Sequence, residues 1–105
     1  MSTKKKRSEA VKFLEKLTGG PLTIGKRLES LRMGEEMSQP QFAKLLGISK
    51  SHLNDIEKER KVVSPERAAR FARQLGFAEG RFVELALQAI VDQAGLKLKV
   101  EVKAS

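Results

Sequence analysis

The sequence predicts an all-α fold of five short helices, with a basic N-terminal arm and helix in front and one β-strand behind. Three observations carry this. Apolar residues recur at spacings of three and four from residue 23 to residue 94. Serines at 38, 49 and 64 stand where helix N-caps belong, and glycines at 34, 47, 76 and 95 stand where helices stop. After Gly95 the apolar period changes from about four to two.

Lys4-Lys5-Lys6-Arg7 forms the basic arm, and a short helix capped by Ser8 follows, with Val11, Leu14 and Leu17 on one face. Thr18-Gly19-Gly20-Pro21 breaks that helix and makes the one convincing linker. The first core helix starts at about Thr23, turns Ile24, Leu28 and Leu31 inward, and stops near Gly34. Ser38 caps the second, and Gln41 three residues on completes a capping box. Phe42, Ala43, Leu45 and Leu46 give it one apolar face, and Gly47 supplies a left-handed end. Ser49 caps the third helix, whose inward residues are Leu53 and Ile56. Gly47-Ile48-Ser49 leaves room only for a tight turn between these two helices. A basic loop from Lys58 to Val63 leads to Ser64-Pro65-Glu66, a strong start for the fourth helix. That helix carries Ala68, Ala69, Phe71, Ala72 and Leu75. The fifth runs from about Glu79 to Ala94 with Phe82, Leu85, Ala86, Ala89 and Ile90 on its apolar side.

Leu96, Leu98, Val100 and Val102 then alternate with Lys97, Lys99, Glu101 and Lys103. A lone strand leaves its backbone donors and acceptors unpaired, so this one is expected to seek a partner strand from a second copy or from another protein. The domain plan is an arm, helix and linker over 1–21, a helical domain over 22–77, and a helix and strand for dimerisation or partner binding over 78–105.

At 105 residues the chain has material for one small core plus tails. Lys and Arg number 21 against 13 Asp and Glu, a formal charge of +8. That excess favours polyanions, whether DNA, RNA or an acidic protein surface. Cysteine is absent, which excludes a disulfide framework and a thiolate nucleophile and suits a reducing cytosol. No apolar run approaches the roughly 18 residues needed to span a bilayer, and no signal-peptide core follows the basic N-terminus. The expectation is a soluble intracellular protein without membrane attachment. His52 is the only histidine and no Gly-rich loop follows a strand, so neither catalysis nor a metal or cofactor is expected.

The third helix is the surface a partner would read. With Leu53 and Ile56 inward, a 100° step per residue turns Ser51, Asn54, Asp55 and Lys58 outward, and leaves Lys50 at the exposed end. In a DNA major groove Lys50 can donate to guanine O6 or N7, and Ser51 can pair with several base edges. Asn54 can bridge adenine N6 and N7 or hold a phosphate, and Asp55 can accept from cytosine N4. Lys50, Ser51, Asn54 and Asp55 are therefore the candidate base contacts. Gln39, Ser49, His52, Lys58, Arg60 and Lys61 are the candidate phosphate contacts.

Residues 22–77 resemble the Xre family of bacterial and phage repressors, the helix-turn-helix class that includes the lambdoid repressors and Cro. The resemblance is carried by Leu31-Arg32, Ser38-Gln39, Phe42-Ala43, Leu46-Gly47-Ile48-Ser49 and Ile56-Glu57. It implies a lambda-repressor-like five-helix domain, a phosphate contact for Gln39, and a buried ion pair between Arg32 and Glu57 that fixes the recognition helix. The chain departs from the family at Glu59, where a Glu-x-Gly-Arg turn usually has glycine, so the exit from the third helix is expected to differ. The function implied is a sequence-specific transcriptional repressor, working in the cytoplasm on the nucleoid as a homodimer on a palindromic operator in double-stranded DNA. The extra C-terminal helix and strand are also similar to HigA-like antitoxins, which neutralise a ribonuclease toxin and repress their own operon.

Overall fold

Side-chain hydroxyls start four of the five helices, because the first N–H groups of a helix have no partner within it. Residues 22–104 are described by the structure, a computed structural model. They form α1 (Ile24–Gly34), α2 (Gln39–Leu46), α3 (Lys50–Glu57), α4 (Pro65–Leu75) and α5 (Glu79–Gln93). Thr23 accepts from the Lys26 N–H at 3.1 Å, Ser49 from His52 at 3.1 Å and Ser64 from Arg67 at 3.2 Å. Ser38 accepts from the Gln41 N–H at 3.3 Å while the Gln41 side chain takes the Ser38 N–H at 2.9 Å, the reciprocal capping box. Only α5 lacks a side-chain cap.

Helix ends divide into two chemistries. Gly47 and Gly76 adopt left-handed conformations, with φ of 73° and 79°, and close α2 and α4. At the ends of α1 and α3 the same geometry falls on glutamates: Glu36 has φ 54° and Glu59 has φ 60°. In both, the next N–H reaches back to a helical carbonyl, Met37 to Arg32 at 3.0 Å and Arg60 to Asp55 at 2.8 Å. The departure from family pattern at Glu59 thus leaves the turn in place, with a side chain carrying a conformation that disfavours it by about 1–2 kcal/mol.

Phe42, Phe71 and Phe82 are buried at the centre, with Leu28, Leu46, Leu53, Ile56 and Val63 around them. Each such side chain contributes roughly 1.5–3 kcal/mol on burial. α4 packs along α5, α2 packs on both α3 and α4, and α1 lies between α3 and α5. α1 meets α3 so closely that a Cβ at Gly25 would run into the Ile56 carbonyl oxygen. No helix among the described residues is long and apolar enough to cross a membrane.

Three expectations are corrected. Leu45 is exposed rather than part of the α2 core face, because Phe42, Ala43 and Leu46 already fill the side turned to α3 and α4. Ile90 likewise lies outside the core contact of α5. No strand exists among the described residues: 96–104 carry no regular secondary structure. The reason is that a single strand has no ladder, so the backbone takes side chains of α5 as partners instead. The Gln88 amide donates to the Leu98 carbonyl and accepts from the Val100 N–H, both at 2.8 Å. Glu84 accepts from the Val102 N–H at 3.1 Å, and that bond, more than its ion pair with Arg81, holds its carboxyl below the usual range. Val100 and Val102 are half-buried, while Leu96 and Leu98 stay exposed. The basic arm, the expected helix capped by Ser8 and the Gly-Gly-Pro linker lie outside the described residues.

Two substitutions read these backbone constraints. Glu59→Gly is expected to stabilise the fold by about 1 kcal/mol by relieving the left-handed side chain, and Gly25→Ala to destabilise it by about 1–3 kcal/mol. Urea unfolding followed by circular dichroism measures both.

Candidate nucleic-acid interface

Glu57 carries a charge at the end of α3 where almost no water reaches it. Its side chain is 1% exposed. An uncompensated carboxylate there would be prohibitively costly, so its acceptor sites must be filled. Arg32 of α1 fills two in a fork, with Nε donating to Oε2 at 2.8 Å and Nη2 to Oε1 at 3.1 Å. Gln39 of α2 donates a third bond from Nε2 to Oε1 at 3.0 Å. The remaining Arg32 nitrogen, Nη1, donates to the Met37 carbonyl at 3.1 Å and secures the turn between α1 and α2. The guanidinium, already basic, is made more so, chiefly by its hydrogen bond to Glu57.

This network engages Gln39. The side-chain donor expected to hold a phosphate is turned inward, to Glu57 and, at 3.2 Å, to Asn54 Oδ1. Gln39 positions α3 against α2. Asn54 is half-buried at the edge of the α3 surface.

The expected readers at the start of α3 are open. Lys50 and Ser51 are exposed, and Ser49 is exposed while its hydroxyl caps the helix. Asp55 is different. Its carboxylate pairs with Arg60 at 3.1 Å and with Lys61 at 3.6 Å, and its own carbonyl accepts from both their N–H groups. Hydrogen bonding from Arg60 and the charge of Lys61 hold the Asp55 carboxyl below its ordinary value. Asp55 therefore closes the loop after α3 and gathers two cations beside it. Lys58, the C-cap residue, is exposed and completes a basic rim with them.

The structure adds a residue that local pattern did not single out. Arg67 of α4 brings its Nη1 to 3.2 Å from His52 Nδ1 and 3.1 Å from Nε2, reaching both ring nitrogens at once. Burial, then the charges of Arg67 and Lys61, hold His52 below the ordinary histidine value. Nothing in the α4 sequence pairs Arg67 with a residue 15 positions earlier; the packing of both α3 and α4 on α2 does.

The assembled surface offers hydrogen-bond donors and cations around a short helix whose N-terminal end is exposed. A family described as a helix-turn-helix domain matches residues 23–85, more than half the chain. No curated protein and no solved structure matches it significantly.

Two measurements test the network. Arg32→Ala strands the Glu57 charge and is expected to cost about 3–5 kcal/mol in urea unfolding. For His52, the folded state binds a proton less readily than the unfolded chain. Its contribution is complete above about pH 6.5 and is lost as the pH falls through the lower folded value. His52→Gln is expected to flatten that part of a plot of stability against pH.

Proposed function

The chain belongs to the helix-turn-helix domain family, and from that premise we propose that it is a sequence-specific DNA-binding transcriptional repressor of the Xre type. It acts as a homodimer on a palindromic operator. The observation that carries the reading is the fixed mounting of α3: Arg32, Gln39 and Glu57 lock its back, while Lys50 and Ser51 stay open at its front. A rigid helix with an exposed N-terminal end is what a major groove admits.

The basic rim of Lys58, Arg60 and Lys61 supplies phosphate contacts at the C-terminal end of the base-reading helix. Arg60 and Lys61 are paired with Asp55 at the surface, where ion pairs are worth about 0–1 kcal/mol. Exchange of Asp55 for a backbone phosphate is therefore inexpensive. Occupation of a promoter requires no chemistry, so the mechanism is steric exclusion of other DNA-binding machinery.

One such domain buries little surface, so useful specificity needs two half-sites about one helical turn, roughly 34 Å, apart. The tail is the proposed seam. Leu98, Val100 and Val102 turn backbone groups toward α5, so in an extended chain Lys97, Lys99, Glu101 and Lys103 turn theirs away. That outer edge can pair with the same segment of a second copy, with Leu96, Leu98, Val100 and Val102 meeting across the join. The same open edge also fits the sheet edge of a protein partner, which favours the antitoxin of a toxin–antitoxin pair as a second reading.

Selection from random duplex DNA at low and moderate salt tests the proposal. The expected result is a palindrome with half-sites one turn apart; purely salt-dependent binding without a motif would leave only counterion release. Deleting residues 96–105 is expected to give folded monomers with weaker operator binding. A truncated protein that stays dimeric and keeps its operator affinity would move the tail's role to a protein partner.

A further inference from the structure

Hydrogen-bond polarity runs in one direction from the buried ion pair to the surface of α3. Arg32 has only donors, and the ionised Glu57 has only acceptors. The Gln39 group facing Glu57 Oε1 must therefore be its NH2, and it is, at 3.0 Å. That nitrogen has two hydrogens. The second points to Asn54 at 3.2 Å, so the Asn54 atom receiving it must be the carbonyl Oδ1. Reversing the Asn54 amide would set NH2 against NH2. Its orientation is dictated from three residues away.

The consequence lies on the outer side of Asn54. With Oδ1 committed inward, Nδ2 has no hydrogen-bond partner among the described residues. No buried side-chain nitrogen or oxygen among the described residues lacks a partner, so Nδ2 of this half-buried residue is not sealed from solvent. Adenine recognition by asparagine needs an outward oxygen to accept from N6 as well as an outward NH2 for N7. Here one of the oxygen's two lone pairs is engaged by Gln39 on the inner side, which draws Oδ1 inward and leaves the NH2 as the outer group. Guanine presents two adjacent acceptors, O6 and N7, and cytosine presents a donor that an NH2 cannot meet.

We infer that Asn54 is a specificity residue that presents its NH2 outward and selects guanine O6 and N7 in the major groove, with its polarity set through Arg32, Glu57 and Gln39. The inference rests on the DNA-binding reading proposed above. It also makes Gln39 a positioning residue for specificity, acting through Asn54.

The experiment measures binding of the full chain to its selected operator with each base pair of a half-site varied in turn, and with 7-deazaguanine at each guanine. One guanine per half-site is expected to be preferred about tenfold over other bases, within the range for direct base contacts, and to lose affinity on 7-deaza replacement. Asn54→Asp keeps the inner bond from Gln39 and turns an acceptor outward. It should invert that one preference to cytosine, leave preferences elsewhere unchanged, and weaken binding uniformly through its added charge. Gln39→Met leaves the Arg32–Glu57 fork intact and frees the Asn54 amide to turn, so adenine should become acceptable at the same position. Thermal unfolding establishes that each variant is folded, and the 7-deazaguanine series on the unaltered protein needs no variant. Uniform loss in Asn54→Asp with every base preference retained would make Asn54 a phosphate contact and overturn the inference. So would an Asn54-dependent preference for adenine in the unaltered protein. Absence of any selected motif would sink the DNA-binding reading itself, and this inference with it.

Discussion

One buried carboxylate organises this fold. Hydrophobic packing brings α1, α2 and α3 together without specifying how they are rotated, because apolar contact has no direction. Glu57 supplies the direction: its acceptors are filled by a fork from α1 and an amide from α2, and the fork's third nitrogen holds the turn between them. A buried ion pair is weak evidence of net stability, since desolvating both charges offsets much of their attraction. Its value here is geometric. α3 is only eight residues long and would be marginal alone, so its orientation must come from its neighbours.

Asp55, two residues earlier, has the opposite character. It sits at the surface, its partners Arg60 and Lys61 are largely exposed, and its bonds are of the kind that water and salt readily replace. The two acids divide the work by burial. Glu57 holds the helix still, and Asp55 keeps a loop of cations gathered at its end without committing them. His52 and Arg67 continue the same surface toward α4, where an imidazole held neutral lies against a guanidinium.

The tail shows how an extended segment is satisfied without a sheet. Gln88 offers one acceptor and one donor at the spacing of a peptide group, so it stands in for one unit of a neighbouring strand, and Glu84 one turn away adds another acceptor. Alternation in sequence marks residues 96–102 as a one-sided strand, yet of its apolar residues only Val100 and Val102 are half-buried. Whether such a segment becomes a strand depends on a partner's backbone, which its own sequence does not contain.

Helix positions were legible because their determinants are local: capping hydroxyls at Ser38, Ser49 and Ser64, left-handed glycines at 47 and 76, and apolar spacing between them. The Arg32–Glu57 pairing came from family resemblance, since nothing within either helix links residues 25 apart. Tertiary structure alone decided which polar side chains remain available. Asp55 reads as outward-facing on a helical wheel and Gln39 as a phosphate contact by family resemblance, yet Gln39 is bonded into the network behind α3 and Asp55 into the loop after it. Val63 reads as loop and is core, while Leu45 reads as core and is exposed. The reason is common to all four. Local pattern determines how a side chain leaves its own segment, but what it meets there is set by elements distant in the chain.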